Sequence, residues 1–415
     1  MNKQLDTSWD FKSSDTKTLT HCFHHYPAMM IPQVAGRLID TYGYNSKLLF
    51  DPYCGTGTSL VEANIRDINA IGTDLNPLAR IIAKSKTTVL KMQTLDLYLK
   101  EFNDYLFSYR FGTEKLKTVI VPQFKNINYW FSSPAQEKLA VIKEFIRNIQ
   151  DLNIKLFFKV CFSETVRECS WTRNSEFKLY RMTEKQIENF DPDVLGIMED
   201  KLARNKNGLK KFVETKSNGV KTRVCRFNTV NSIPNTILKE NSVDIVVTSP
   251  PYGDSKTTVA YGQFSRLANQ WMEYDKANIL DNELMGGVKK EVKSFKSVYL
   301  NDTLNKIENK DRKRVKDVVS FFDDYEQSIS NVSKVIKKGG FACYVVGNRR
   351  VKGVTIPTDL ITVDFFNQND FDHINTIVRN IPNKRMPSMN SPTNKIGKLD
   401  RTMTKESIVI MQKAN

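Results

Sequence analysis

The chain of 415 residues has only four histidines and six cysteines. Cys22, Cys54, Cys161, Cys169, Cys225 and Cys343 are scattered with no CxxC pair, which excludes a zinc ribbon or a disulfide framework and predicts reduced, intracellular thiols. His21, His24 and His25 cluster, but no matching set of Cys, Asp or Glu stands beside them in sequence, so no metal is expected. No apolar run approaches the roughly 20 residues that a membrane helix needs. The opening MNKQLDTSWDFKSSDTKT is polar and lacks the apolar core of a signal peptide. A cytoplasmic protein without a membrane partner is the expectation. Acidic residues are also short: 46 Asp and Glu face 62 Lys and Arg, for a formal charge of +16 and a pI near 9.4. That balance suits a polyanionic partner. The length allows one large domain with an insertion or two to three domains, and 40% hydrophobic residues can fill a sizeable core.

Against this background two strings stand out, DPYCGTGTS at Asp51 to Ser59 and TSPPYGDS at Thr248 to Ser255. Each follows a β-like apolar run, KLLF and VDIVV, which places both at strand ends, where open parallel sheets bind ligands. In the first string Gly55 and Gly57 allow a tight turn and close backbone approach, and a helix is expected through SLVEANI. The Walker lysine is missing, since Thr58 and Ser59 occupy its neighbourhood, and Asp51 repels phosphate. A carboxylate there suits a cationic or amine-bearing cofactor, and S-adenosylmethionine meets that demand. About twenty residues on, AIGTDLNPLA ends a second short strand at Asp74, placed to accept both ribose hydroxyls; the alternative is a helix cap before Asn76 and Pro77. In the second string Pro250 and Pro251 remove two backbone donors, leaving carbonyl acceptors suited to an exocyclic amino group. Ser249 adds a hydroxyl, and Tyr252 a ring on which a base can stack.

These strings resemble those of the amino-methyltransferases of DNA restriction-modification systems. DPYCGTGT is similar to that family's cofactor loop, Asp74 to its ribose-binding acid, and Ser249-Pro250-Pro251-Tyr252 to its catalytic motif. HHYPAMMIPQVAGRLID, with Tyr26 and Pro27, resembles the segment that packs over the methionine end of the cofactor. GGFACYVVGNRRVKGVTIPT and RNIPNKRMP resemble the later strands and the loop lining the target-base pocket. The resemblance spans roughly residues 20 to 95 and 220 to 412. It implies an α/β, Rossmann-like, mostly parallel sheet with S-adenosylmethionine held by Tyr26, Pro27, Asp51, Tyr53, Gly55, Gly57, Thr58, Asp74 and Asn228. It further implies double-stranded DNA as partner, base flipping, and a cognate restriction endonuclease as companion. Asn228, in VCRFNTV, stands where the family usually has the acid that holds the adenine ring. Ser249 is the form most associated with cytosine N4, while the motif order departs from that most often seen in such enzymes, which keeps adenine N6 as the alternative. RNA guanine-N2 methylation and a catalytically silent DNA-binding subunit are further alternatives.

The division expected is a cofactor half at 1–95, a largely helical insertion at 96–219 and a catalytic half at 220–415. Within the insertion, Leu139, Ile142, Phe145, Ile146 and Ile149 fall on one helical face, and NIKLFFKVCFSETVREC continues as a more buried helix. Trp171, Arg173, Asn174, Lys178 and Arg181 interleave basic and aromatic residues in an expected loop, a candidate grip on a DNA backbone or else a solvated helix end. Glu176 to Lys178, EFK, is too short to carry a nuclease reading. Two further basic loops are expected, at 286–318, where ten Lys or Arg face five acids, and at 383–405.

Overall fold

The computed structural model describes residues 2–27, 29–112, 119–173, 177–217, 219–252, 261–382, 389–390, 400–401 and 403–415. Eight strands form the main sheet: β1 Lys3–Leu5, β2 Leu48–Asp51, β3 Asn69–Thr73, β4 Thr222–Cys225, β5 Val243–Thr248, β6 Ile336–Val346, β7 Phe371–Asn380 and β8 Lys405–Lys413. Their spatial order is β1-β7-β8-β6-β5-β2-β3-β4. Only β8 runs antiparallel to its neighbours, β6 and β7; every other pairing is parallel. The chain builds outward from β2 through β3 to β4, then returns to lay β5 on the other side of β2. That reversal opens a crevice at the C-terminal ends of β2 and β5. The expected α/β, Rossmann-like, mostly parallel sheet is present.

Helices cover both faces because the central strands are apolar on both sides, as parallel sheets require. Phe50, Val243 and Val246 pack under one layer with Phe322 and Ile329, while Leu49, Ile245 and Val247 pack under the other with Val34 and Leu38. The segment 96–219 is largely helical, with helices at Met92–Phe111, Ser133–Asn148, Leu152–Glu168 and Val194–Thr215. Leu139, Ile142 and Ile146 lie in one apolar core with Phe157, Phe158 and Phe162, so the helical face read from the sequence is the buried one. The same core takes in Phe23, Leu78 and Ile82 from the first hundred residues and Phe264 and Trp271 from beyond β5. These helices are thereby fused to the sheet rather than appended to it.

The stretch 286–318 is a loop only in its first part, 286–297, which has neither helix nor strand. It holds the helix Val298–Glu308 and the first turns of a second helix, Arg312–Val335, which begins nine residues before FFDDYEQ. Six of its ten cations, Lys289, Lys290, Lys293, Arg312, Arg314 and Lys316, form ion pairs, with Asp323 and Asp324 on the second helix taking Lys290 and Lys293. The acids lie just downstream on a facing element, so the basic count of the segment alone overstates its free charge. Most of the 383–405 stretch and all of Asn174 to Glu176 lie outside the described residues; the ends of β7 and β8 that flank the former face the C-terminal edge of the sheet.

Gly57 fixes the turn out of β2. Its φ is +80°, and a Cβ there would stand 2.9 Å from the Cβ of Ala83 on the helix Pro77–Thr87. Gly57→Ala should therefore lower stability by at least about 1–2 kcal/mol, the left-handed cost alone, measured by equilibrium chemical denaturation. An unchanged midpoint would show that the loop relaxes freely.

Candidate active site

Because β4, β3, β2 and β5 are parallel neighbours, the residues just beyond their C-terminal ends form a row with steps of about 4.8 Å. Asn228, Asp74, Asp51 and Ser249 occupy that row. A cavity of about 420 Å³ runs along it. Of the residues singled out from sequence, Tyr26, Pro27, Asp51, Tyr53, Gly55, Thr58, Asp74, Asn228, Ser249 and Pro251 line the cavity, whereas Gly57, Pro250 and Tyr252 do not. Gly57 acts behind the wall, through the turn described above.

Asp51 is buried, and each of its oxygens is engaged. Oδ1 accepts from the Thr248 hydroxyl at 2.6 Å and from the Tyr53 N–H at 3.1 Å, and Oδ2 accepts from the Ser59 hydroxyl. Burial pushes its carboxyl up to about 6, against the pull of those bonds. Asp74 accepts from the Gly55 N–H at 3.1 Å and the Asn76 N–H at 2.7 Å, and burial raises its carboxyl too. The helix cap is Asn76, whose side chain accepts from the Leu78 N–H at 3.1 Å, so Asp74 is not spent on capping. Asn228 lines the cavity while its Oδ1 accepts from the Val230 N–H at 3.0 Å. Tyr53 is anchored by its hydroxyl on Ser328, which in turn meets Thr229 Oγ1 at 2.6 Å.

The second string is held from behind. Ser249 Oγ donates to the Val345 carbonyl at 3.2 Å and lies 3.0 Å from the Tyr252 hydroxyl, which donates to Glu406 Oε1 at 3.3 Å. Arg379 donates to Glu406 at 2.7 Å and to the Trp9 carbonyl at 2.8 Å. A Cβ on Gly347 would stand 2.6 Å from the Tyr252 ring, so that ring lies against a backbone surface only glycine provides. The ring expected to face the site is turned instead toward Gly347 and Glu406.

No family model matches the chain. The type II methyltransferase M.MvaI of Kocuria varians is 39% identical over 430 residues, which cover 97% of this chain and 93% of that protein. The chain belongs to the type II methyltransferases. A second relative, the type II methyltransferase M.BsoBI of Geobacillus stearothermophilus, is 22% identical over 455 residues, covering 95% of this chain and 85% of its own length.

The methyltransferase cavity also contains residues that sequence reasoning missed. Tyr261 stacks on Tyr26 with centroids 5.9 Å apart and planes 14° apart, and Asn76 donates to the Tyr26 hydroxyl at 2.8 Å. Met29, Met30, Thr56, Lys178 and Asp281 complete much of the wall. Tyr261 and Asp281 come from segments beyond β5 that carry no motif, so only the fold brings them here. Lys178 belongs to the basic and aromatic stretch already noted, and Arg181 of that stretch stands over the rings of Tyr129 and Trp171 at 4.5 and 5.2 Å. The histidines do have acid partners: Glu62 lies 2.9 Å from His21, and Glu164 bonds His25. Both acids come from helices remote from the cluster in sequence. His25, Glu164 and Glu168 bring ligand atoms within 4.8 Å of one another, but Arg204 and Lys201 pair with the two carboxylates at 2.6 and 2.7 Å. Among the described residues no helix is long and apolar enough to cross a membrane.

Thr248→Val keeps shape and removes the donor that joins β5 to Asp51. Stability should fall by about 1–3 kcal/mol, the cost of leaving a buried acceptor short of a partner, as read by chemical denaturation at neutral pH. An unaltered value would mean that Ser59 and Tyr53 suffice.

Proposed function

We propose that this methyltransferase moves a methyl group from S-adenosylmethionine to an exocyclic amino nitrogen of double-stranded DNA, cytosine N4 in preference to adenine N6, on a base turned out of the duplex. The observation that carries the reading is the Asp51–Thr248 bond, which joins the glycine loop to the strand bearing Ser249-Pro250-Pro251-Tyr252 and sets both on one cavity. The cavity suits the cofactor. A Cβ on Gly55 would meet only the Tyr53 carbonyl at 4.0 Å, which leaves the loop open to close approach, and the buried carboxylates of Asp51 and Asp74 favour amine, cationic and hydroxyl groups over phosphate. When bound, S-adenosylmethionine supplies an electrophilic methyl on its sulfonium and departs as the homocysteine thioether.

The chain's own residues position the rest. Asp74 accepts the ribose hydroxyls, Asn228 meets the adenine edge, Tyr26 and Pro27 cover the methionine end, and Asp51 offsets positive charge. Ser249 and the Pro250 carbonyl accept the two amino protons of the target base and so aim its lone pair. A hydroxyl is too weak a base near neutrality to remove a proton first, so the proton leaves to solvent after transfer. Extruding the base costs a few kcal/mol. Stacking on Tyr252, worth about 1–3 kcal/mol, offsets it once the ring swings from Glu406.

Nucleoside analysis of DNA treated with enzyme and S-adenosylmethionine should show N4-methylcytosine. N6-methyladenine alone would transfer the assignment to adenine, and no methylated base would overturn the reading.

Asp51 gives a pH signature. Its carboxyl titrates near 6 in the free protein, and a cationic cofactor favours the ionised form. Affinity for S-adenosylmethionine should therefore be level above that value and fall as pH drops through it; Asp74, raised in the same direction, adds to the fall. Calorimetric titration from about pH 8 to about pH 5 reads this directly, and Asp51→Asn should flatten the profile while weakening binding.

A further inference from the structure

A second cavity, of about 100 Å³, adjoins the first; Met29, Met30 and Thr58 line both. On its wall stands Lys86, at the end of the helix Pro77–Thr87, with no solvent exposure at all. Among the described residues no carboxylate pairs with its ammonium, and its hydrogen bond goes to Thr56 Oγ1 of the glycine loop at a long 3.4 Å. Glu62, an acid of the same region, is already taken by His21 at 2.9 Å and Arg66 at 2.6 Å. The ring of His24, also on this wall and 3% exposed, has no hydrogen-bond partner on either nitrogen. A buried cation with one long hydrogen bond and a buried imidazole with none are costly to fold around, and an anion in this cavity would satisfy both.

We infer that Lys86 is a cofactor-binding residue, receiving through this side cavity the carboxylate at the amino-acid end of S-adenosylmethionine, beside Thr56. The inference rests on the assignment of the larger cavity to that cofactor. With Asn228 and Asp74 taking the nucleoside at the β4 and β3 end of the row, the amino-acid end extends past Asp51 along Thr56 toward Thr58, which lines both cavities. Burial lowers the Lys86 ammonium to about 8, so it remains mostly charged at neutral pH, and a bound carboxylate holds it so. Burial also lowers His24 to about 4, which leaves a neutral ring with one N–H to donate.

The test compares two ligands, S-adenosylhomocysteine and 5′-methylthioadenosine, which keeps the nucleoside and sulfur but lacks the amino-acid end. Calorimetry on the intact protein should show that Lys86→Met weakens S-adenosylhomocysteine about thirtyfold or more, as expected for truncating one partner of a buried charge pair. Methylthioadenosine should change by less than about twofold. The melting temperature of Lys86→Met should hold or rise, because an uncompensated buried charge has gone; Lys86→Arg serves as the second variant and should restore part of the lost affinity. Equal losses for both ligands, or undiminished binding of S-adenosylhomocysteine, overturns the role of Lys86 while leaving the larger cavity as the cofactor site. Failure of the wild-type protein to bind either ligand overturns the cavity assignment itself.

Discussion

The site depends on one buried carboxylate. Asp51 ends β2 and Thr248 ends β5, 197 residues later, and the bond between them spans the point where the sheet reverses its building direction. A charge in that position costs several kcal/mol unless it is well bonded, and the chain meets the cost with the Thr248 and Ser59 hydroxyls and the Tyr53 N–H. Each donor belongs to a functional segment. Ser59 starts the helix after the glycine loop, Tyr53 sits inside that loop, and Thr248 precedes Ser249. The carboxylate therefore sets the relative position of the glycine loop and the strand that leads to Ser249, and burial, which its hydrogen bonds do not fully offset, raises its carboxyl, so that a neighbouring cation would favour the ionised form.

A second polar chain holds the Ser249-Pro250-Pro251-Tyr252 string from the far side. Ser249, Tyr252, Glu406 and Arg379 are linked in sequence of contact, and Arg379 reaches the carbonyls of Trp9 and Asp10. The N-terminal segment, paired as β1 onto β7, thus braces a tyrosine just beyond the C-terminal end of β5. Low local dielectric strengthens such chains and makes each unpaired member expensive. Moving the Tyr252 ring would break its hydroxyl's bond to Glu406, so the contact with Glu406 holds the ring in place.

Local strings were legible in the sequence and assembled contacts were not. Asp51, Gly55, Gly57 and Asp74 could be read because turn chemistry and strand-end placement are local properties, and the parallel sheet followed from apolar runs flanked by those turns. Tyr261, Asp281 and Lys86 carry no such mark. Lys86 sits among Lys84 and Thr87 at the end of an amphipathic helix, where a lysine ordinarily complements the dipole in solvent. Only the packing of that helix against Thr20, whose hydroxyl bonds the Lys86 carbonyl at 2.9 Å, encloses it. The acid partners of the histidine cluster were hidden for the same reason: Glu62 and Glu164 are 41 and 139 residues away from His21 and His25.

Charge shows most clearly why a count along the chain is not a field. The segment 286–318 has ten basic residues, yet Lys290 and Lys293 close on Asp323, Lys289 and Arg314 on Asp317, so much of that charge is cancelled by the acids of one helix, Arg312–Val335. Paired exposed charges of this kind contribute little to stability or to the potential beyond a Debye length. Lys178, by contrast, lies in a short segment of modest net charge and reaches the wall of the main cavity, next to an arginine held over two aromatic rings. A cation on the wall of a low-dielectric cleft acts on whatever enters it more strongly than several on an ion-paired surface. The insertion thus adds one placed cation, Lys178, to a cavity whose acids, Asp51 and Asp74, come from the strand ends, and placement rather than number decides what it contributes.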